Sequence, residues 1–416
     1  MSGRDVDQKK VLIAGAGLSG SSAAISAARE GHEVTIIESR RRDEIIVKGP
    51  TSFEALQNLT SSGDALELLS GIGLDLAPEH LYKGARIFGP SGDHIDIQMK
   101  RPHGYFIRRG GAGSLDHQLL ETAENMGIEI RCGTRVLGAG TNGELTFRGA
   151  NGIETERADI VIGADGIGTL VGKEITAPLS RRDIAVGIGC HFRGEHGFEP
   201  GIAECWLGSG LCPGEYAYVL PTENEVSVVT TMRPHLLNGV KPHRLLKRFM
   251  KIPSIKRRLG DASLCNMIKG GVPVTAGGPV GKGRILLVGE AARLTDPMLG
   301  FGMMNAILSG KKAGESISSG RPLDSYQRWM EESILPDIRS RLKTRRSILD
   351  NIDDRDLDKV VNSMRIISER VEPDLFFDRR TRRKVLLSSF PALIRGGGMR
   401  AAAKYLVPFL YSNYSL

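Results

Sequence analysis

Aromatic residues are sparse, at 5% of 416 positions, and no stacking-and-basic motif of the kind that binds nucleic acid is present. Nucleic acid is therefore not an expected partner. Cysteine is scarcer still. The five residues (Cys132, Cys190, Cys205, Cys212 and Cys265) are odd in number, scattered and without a C-x-x-C pair. That spacing excludes a disulfide framework and a cysteine zinc site, predicts no metal, and is expected of a reducing compartment. No apolar run approaches the roughly 18 residues needed to span a bilayer. The opening MSGRDVDQKK is polar, so no signal peptide is expected and a cytoplasmic location is.

What is present has globular composition, with 40% hydrophobic and 25% charged residues. The length suits two domains and an extension. The net charge of +8 is uneven: residues 321–416 hold 19 Lys and Arg against 13 Asp and Glu, so six of the eight charges lie there. A solvated helical face explains that excess, and so does an anionic lipid headgroup or phosphorylated substrate. The end of the chain, MRAAAKYLVPFLYSNYSL (399–416), is apolar and aromatic but too short to cross a membrane. It is expected to pack as an ordinary terminus, to cap a tunnel, or to touch the inner face of a membrane peripherally.

The most informative stretch is KKVLIAGAGLSGSSAAISAAREGHEVTIIESR. Its pattern predicts a strand over Val11–Ala14, a turn Gly15-x-Gly17-x-x-Gly20, a helix to about Glu30, and a second strand ending in Glu38. Gly15 permits the tight turn, and Gly17 lets the backbone approach a pyrophosphate. Gly20 and Ala24 let helix and strand pack closely. Leu18 and Ser19 open the helix, whose N-terminus faces the phosphates. Glu38 stands where a carboxylate accepts hydrogen bonds from a ribose, and Arg40 places a cation beside an adenine or phosphate. In this strand–turn–helix–strand context the pattern predicts dinucleotide binding.

Two later segments repeat the logic. ADIVIGADGIGTLV (158–171) is a strand breaking at Asp165-Gly166, and GRILLVGEAARLTDPMLGFGMMNAILSGKKAGESI (283–317) is a strand ending at Gly289-Glu290. A Pro/Gly-rich loop with Gly300 and Gly302 then leads to a helix starting near Met303. The helix N-terminus suits a phosphate or a polarised ring carbonyl. Elsewhere, CPGEYAYVLP (212–221) sets Tyr216, Tyr218 and Leu220 on one side of an extended segment, an aromatic wall that lines either a core or a pocket.

Taken in order, the three glycine-and-acid segments resemble the FAD-binding folds of the glutathione-reductase/hydroxylase lineage across about residues 8–320. Within it the chain is similar to the geranylgeranyl reductases. Pro213, Tyr216 and Pro221 match their P-x-x-Y-x-W-x-F-P signature, with Tyr218 for Trp and Leu220 for Phe. GYFIRR (104–109) before Ser114-Leu115-Asp116, and the late helix NAILSGKKAGESI, are similar to theirs as well. Glu290 stands where the lineage has Asp, and KGPTSFEAL (48–56) has no cysteine where many of these reductases carry one.

The resemblance implies an α/β fold: a discontinuous Rossmann-like FAD-binding domain (1–84, 103–178 and 276–320), an inserted antiparallel β-sheet substrate domain (85–102 and 179–275), and a basic helical C-terminal region (321–416). It implies FAD as cofactor, with Arg108 contacting it. The Gly49–Ser52 loop, with Pro50, would add backbone contacts. Val136 would lie on a strand of the same sheet, after the helix at 115–126. Pro213, Tyr216, Tyr218 and Pro221 would line the site of a prenylated lipid or other isoprenoid. The implied activity is reduction of isolated prenyl double bonds, with NADPH, NADH or a ferredoxin-type protein as electron donor, since no second G-x-G-x-x-G unit exists. Tyr216, Tyr218 and His191 are candidates for a catalytic acid by position only, and no catalytic residue is assigned. An FAD-dependent monooxygenase or halogenase of the same fold is the rival reading, and a non-catalytic prenyl-binding escort protein is the rival outside enzymes.

Overall fold

Apolar runs that are buried on both faces form parallel strands, because crossover helices must cover both sides of such a sheet. Val11–Ala14 and Ile160–Gly163 are runs of this kind, and every residue in them is buried. In the computed structural model, which describes residues 7–46, 52–57, 64–98, 104–347 and 349–368, they are central neighbours in a six-stranded sheet. Its order is Gly281–Lys282, Ile285–Leu287, Ile160–Gly163, Lys10–Ala14, Glu33–Glu38, Glu129–Cys132. All neighbours pair in parallel except the short Gly281–Lys282 edge.

The first helix, Leu18–Arg29, and the late helix, Met303–Ser316, cover this sheet and lie against each other. Their backbones approach so closely that a Cβ on Gly310 would stand 2.1 Å from the Ser19 carbonyl oxygen, and one on Gly314 2.6 Å from that of Ala23.

One strand is not where the sequence suggests. Val136 lies on Arg135–Ala139, which belongs to a separate three-stranded antiparallel meander with Glu144–Gly149 and Gly152–Arg157. The strand that enters the parallel sheet after the helix Leu115–Asn125 is Glu129–Cys132. Gly133, at φ +68°, turns the chain out of the parallel register between the two.

The seven-stranded sheet runs Ser263–Pro273, Ile184–Arg193, Glu225–Met232, Ala217–Pro221, Ile202–Trp206, Gly84–Phe88, His94–Gln98. The last two strands come from the stretch between the first and second glycine segments, and Gly84–Phe88 pairs in parallel with Ile202–Trp206. Alternation divides the sheet's faces. Ala217, Val219, Val226 and Val228 bury against the helices Pro242–Met250 and Pro253–Leu259 on one side. Tyr218 and Leu220 pack with Phe106, Ala203, Tyr82 and Phe301 on the other. Phe106 comes from a small antiparallel sheet of Ser52–Gln57, Gly104–Arg109 and His80–Tyr82.

Helices Pro322–Ser333, Leu335–Ser347 and Asp354–Ser368 then fold back across both large sheets. Tyr326 is buried and donates to the Leu287 carbonyl at 2.9 Å, while Asp354 and Asp358 accept from the backbone N–H groups of Ser209 and Ser91. The α/β class, with an antiparallel second sheet and a helical C-terminal part, is as expected. Gly49 and Pro50, and the apolar terminus 399–416, lie outside the described residues.

Candidate functional site

Ligands of open α/β sheets bind outside the carboxyl ends of the strands. Here those ends carry the glycine-and-acid turns of the three segments singled out in the sequence. In spatial order they are Gly289-Glu290 after Ile285–Leu287, Asp165-Gly166 after Ile160–Gly163, Gly15–Gly20 after Lys10–Ala14, and Glu38 closing its own strand. A shallow cleft of about 370 Å³ lined by His32, Thr35, Gly127 and Glu129 opens instead at the amino ends, away from these groups.

The three glycines of the first turn do different work. Gly15, at φ +101°, is in the left-handed region, and a Cβ there would be 2.5 Å from the Ala164 oxygen. A Cβ on Gly20 would be 1.9 Å from the Gly15 oxygen, whereas one on Gly17 would meet nothing within 4 Å. Gly15 and Gly20 thus serve the protein's own packing, and the space over Gly17 is open. No side chain caps the helix at Gly17, so its first N–H groups are left for an anion.

Glu38 is 3% exposed. Its carboxylate accepts from the Ala16 N–H at 2.8 Å, and from Arg40 through the backbone N–H at 2.7 Å and the guanidinium at 3.0 and 3.1 Å. Burial pushes its pKa up, but the hydrogen bonds and charge of Arg40, with the Ala16 N–H, hold it below the usual carboxylate value. Glu290 reaches the neighbouring motif: a Cβ on Gly166 would be 4.0 Å from its Oε2.

The profile of the FAD-binding domain family matches residues 8–315. The chain belongs to that family. FAD is its cofactor, and two orphaned oxygens fit the group. Asp165 uses Oδ2 to accept from Leu170 and Val171 N–H at 2.6 and 3.1 Å, while its Oδ1 is buried without a partner. Thr295 Oγ1, beside Gly302, is likewise buried and unpartnered.

The chain is 29% identical over 389 residues to a digeranylgeranylglycerophospholipid reductase of Methanosarcina acetivorans, covering 85% of this chain and 88% of that one. The same-named protein of Methanothrix thermoacetophila is 29% identical over 408 residues, covering 92% and 97%. Among solved structures, a geranylgeranyl bacteriochlorophyll reductase-like protein from Thermoplasma acidophilum superposes with a TM-score of 0.77 at 26% identity, covering 93% and 98%. A flavin-dependent brominase, at TM-score 0.61 and 17% identity over 81% of this chain and 87% of that one, shares the fold.

In this FAD-binding protein the loop Asp296–Phe301 precedes the late helix and is closed by Asp296 N–H donating to the Phe301 carbonyl at 2.7 Å. Tyr216 spans to it from the seven-stranded sheet, its hydroxyl donating to the Leu299 carbonyl and lying 3.9 Å from a Cβ built on Gly300. Burial pushes the Tyr216 phenol well above its usual pKa, so it stays a proton donor in that bond. The Tyr216 and Tyr218 rings are 5.9 Å apart. Pro221 ends the strand they introduce, and Pro213 accepts from the Arg233 N–H through its carbonyl at 2.9 Å.

Arg108, the cation expected at the cofactor, is engaged within the protein. Its guanidinium is held by Glu79 at 2.6 Å and by Glu225 at 2.9 Å, toward the seven-stranded sheet. Alternation along Gly104–Arg109 turns its neighbour the other way. Arg109 pairs with Asp116 at 2.7 and 2.9 Å, and both charges act on Arg40. Val136 is buried in the core beside the parallel sheet, on the meander rather than on a strand end. Ser52 opens the strand of the small sheet that pairs with Arg109 through the backbone. His191 is closed in, with Nδ1 3.0 Å from Ser227 Oγ and Nε2 3.3 Å from Glu225. Sequence inspection also missed Arg341, bound to Asp296, and Arg345, bound to Glu215 and the Pro297 carbonyl. A signal existed: Leu335, Ile338, Leu342 and Arg345 recur at helical spacing as one buried stripe.

Proposed function

We propose that this flavoprotein reduces isolated carbon–carbon double bonds of geranylgeranyl-type chains carried on a glycerophospholipid or another isoprenoid. The observation that carries the reading is the apolar wall of Tyr218, Leu220, Phe106 and Tyr82, which meets Phe301 of the loop before the late helix. The similarity to archaeal reductases over most of both chains supports it.

When bound, the reduced flavin would supply the hydride for one alkene carbon, with a proton completing the addition. An isolated prenyl alkene has no carbonyl to polarise, so the chain's contribution is orientation and exclusion of water. The residues that would hold the cofactor are Gly15–Gly20 at its phosphates, Glu38 at its ribose, Asp165 and Glu290 along its central chain, and the Gly300–Met303 backbone at its ring system. Arg109, with Asp116 and Arg40, would hold the cationic side of that channel. Tyr216 fixes the loop by its bond to Leu299, and Tyr218 presents a ring to the prenyl chain. The proton's source is left unassigned, because Tyr216 and His191 are both committed to hydrogen bonds within the protein. The reductant is NADPH, NADH or a ferredoxin-type protein that binds transiently. No helix among the described residues is long and apolar enough to cross a membrane.

The test is to reduce the purified protein with dithionite without oxygen and add digeranylgeranyl glycerophospholipid. Flavin reoxidation together with product heavier by whole hydrogen pairs is expected. A flavin that stays reduced with this lipid and turns over productively only with oxygen overturns the reading in favour of monooxygenation.

A further inference from the structure

Residues 226–260 contain no Asp or Glu, yet residues 241–258 hold eight Lys and Arg. They lie on and beside the helices Pro242–Met250 and Pro253–Leu259, whose Leu246, Phe249, Ile255 and Leu259 are buried against the seven-stranded sheet. Packing therefore turns the cations outward. Lys241, Arg244, Lys247, Arg248, Lys251, Lys256 and Arg257 are all exposed, and among the described residues none has an acidic partner. Arg258 alone is paired, with Glu204 at 2.9 Å and the Phe198 ring at 4.4 Å.

The edge strand Ser263–Pro273 extends the same face. Leu264 and Lys269 pair in register with Phe192 and Ile188, which pack under the helices, so they sit on the helix side of the sheet. Met267 is there too, its sulfur 3.4 Å from that of Cys190. Leu264 is 56% and Met267 43% exposed. Cations thus outnumber acids around two exposed apolar side chains, with exposed Asp261 and Glu195 lying only at the end of the second helix.

We infer that this face docks the protein on a bilayer containing anionic phospholipid. Clustered Lys and Arg are drawn to such a surface, and exposed apolar side chains beside them enter its headgroup boundary. A protein electron donor is disfavoured by position, since the face lies across the sheet from Tyr218, Leu220 and Phe301. Nucleic acid is disfavoured because Phe249, the aromatic residue of these helices, is buried and leaves no ring for stacking.

The test measures co-sedimentation of the FAD-loaded protein with dioleoyl phosphatidylcholine vesicles, with and without dioleoyl phosphatidylglycerol. These lipids carry no prenyl chain, so the result is independent of the proposed reaction. Binding to the anionic vesicles alone is expected. It should vanish at 1 M salt, where the screening length falls to about 3 Å from about 10 Å at 0.1 M. The variant K247E/R248E/K251E is expected to bind at least about 100-fold more weakly, at about fivefold for each lost cation. Its flavin absorbance and melting temperature should be unchanged. A variant with the same charge change elsewhere, R148E/R157E/K173E, is expected to keep most of the binding, and L264S/M267S to weaken it with the same salt dependence. Equal binding to neutral vesicles, no binding to anionic ones, wild-type binding by the first variant, or stronger binding to single-stranded RNA would each overturn the inference.

Discussion

Replacing Arg345 by Met tests how the C-terminal helices hold the cofactor loop. Arg345 is 1% exposed, donating to Glu215 at 2.8 Å, to the Pro297 carbonyl at 2.9 Å and to the Gly214 carbonyl. Burial pushes the Glu215 carboxyl above its usual pKa, and the charges of Arg345 and Arg233 pull it partly back. Arg233 stands 3.9 Å from Glu215, so it is a weak substitute. Removing one member of a buried ion pair costs about 3–5 kcal/mol, because the other charge is left desolvated. With an unfolding entropy of about 2.1 cal/mol/K per residue, 416 residues give a fall in Tm of about 3–6 °C by calorimetry. The sign with pH follows from the raised carboxyl. The folded state binds its proton more tightly than the unfolded chain, so the deficit is largest above the folded pKa. It shrinks as pH falls toward the ordinary value of 4.5. The double variant R345M/E215Q should recover more than half of the loss. A loss below about 1 kcal/mol, or no recovery with Gln, would refute the reasoning, since exposed pairs behave that way.

Gly17→Ala should leave the melting temperature of the apoprotein near wild type but weaken FAD binding at least about tenfold, or about 1.4 kcal/mol. Gly20→Ala, whose Cβ meets the Gly15 oxygen at 1.9 Å, should destabilise apoprotein and holoprotein alike by about 1–3 kcal/mol; wild-type FAD affinity in G17A would remove the pyrophosphate assignment. Burial pushes the Glu225 carboxyl up, but hydrogen bonds from His191, Arg108 and Arg193 bring it down to about 2. The stability it supplies is complete above about pH 4.5 and is lost as pH falls toward 2. Urea midpoints of E225Q should therefore be flatter with acid than those of wild type, and parallel curves would contradict the network. Tyr216→Phe should cost about 1 kcal/mol by leaving the Leu299 carbonyl unpaired and shift the visible spectrum of the bound flavin. An unchanged spectrum would mean that the loop is fixed without Tyr216.

Short-range pattern made the nucleotide half of the molecule legible. A strand, a helix start and their glycines lie within about ten residues of one another, so the positive φ of Gly15 and the close approach of Gly20 to the Gly15 oxygen are written locally. The helix expected to run to about Glu30 runs Leu18–Arg29. Period two placed Tyr218 and Leu220 on one face in the same way. The phase of a strand against the rest of the protein is not local, and there the reading failed. Whether Arg108 or Arg109 turns to the Glu38 side depends on the partners of Gly104–Arg109 across its small sheet. The place of Val136 depends on one positive-φ glycine before it.

Charge was harder still. The basic C-terminal region read as either a solvated face or a patch for an anionic headgroup or substrate, yet Arg341 and Arg345 are drawn inside by Asp296 and Glu215, which lie 45 and 130 residues earlier. The sequence alone determined the kind of site, because the glycine turns act through their own backbone and the acids follow directly on strands legible from their apolar runs. Tertiary structure alone decided which cations serve that site and which remain on the surface. A charge's role is set by the opposite charge that reaches it, and chain folding chooses that partner from anywhere in the sequence.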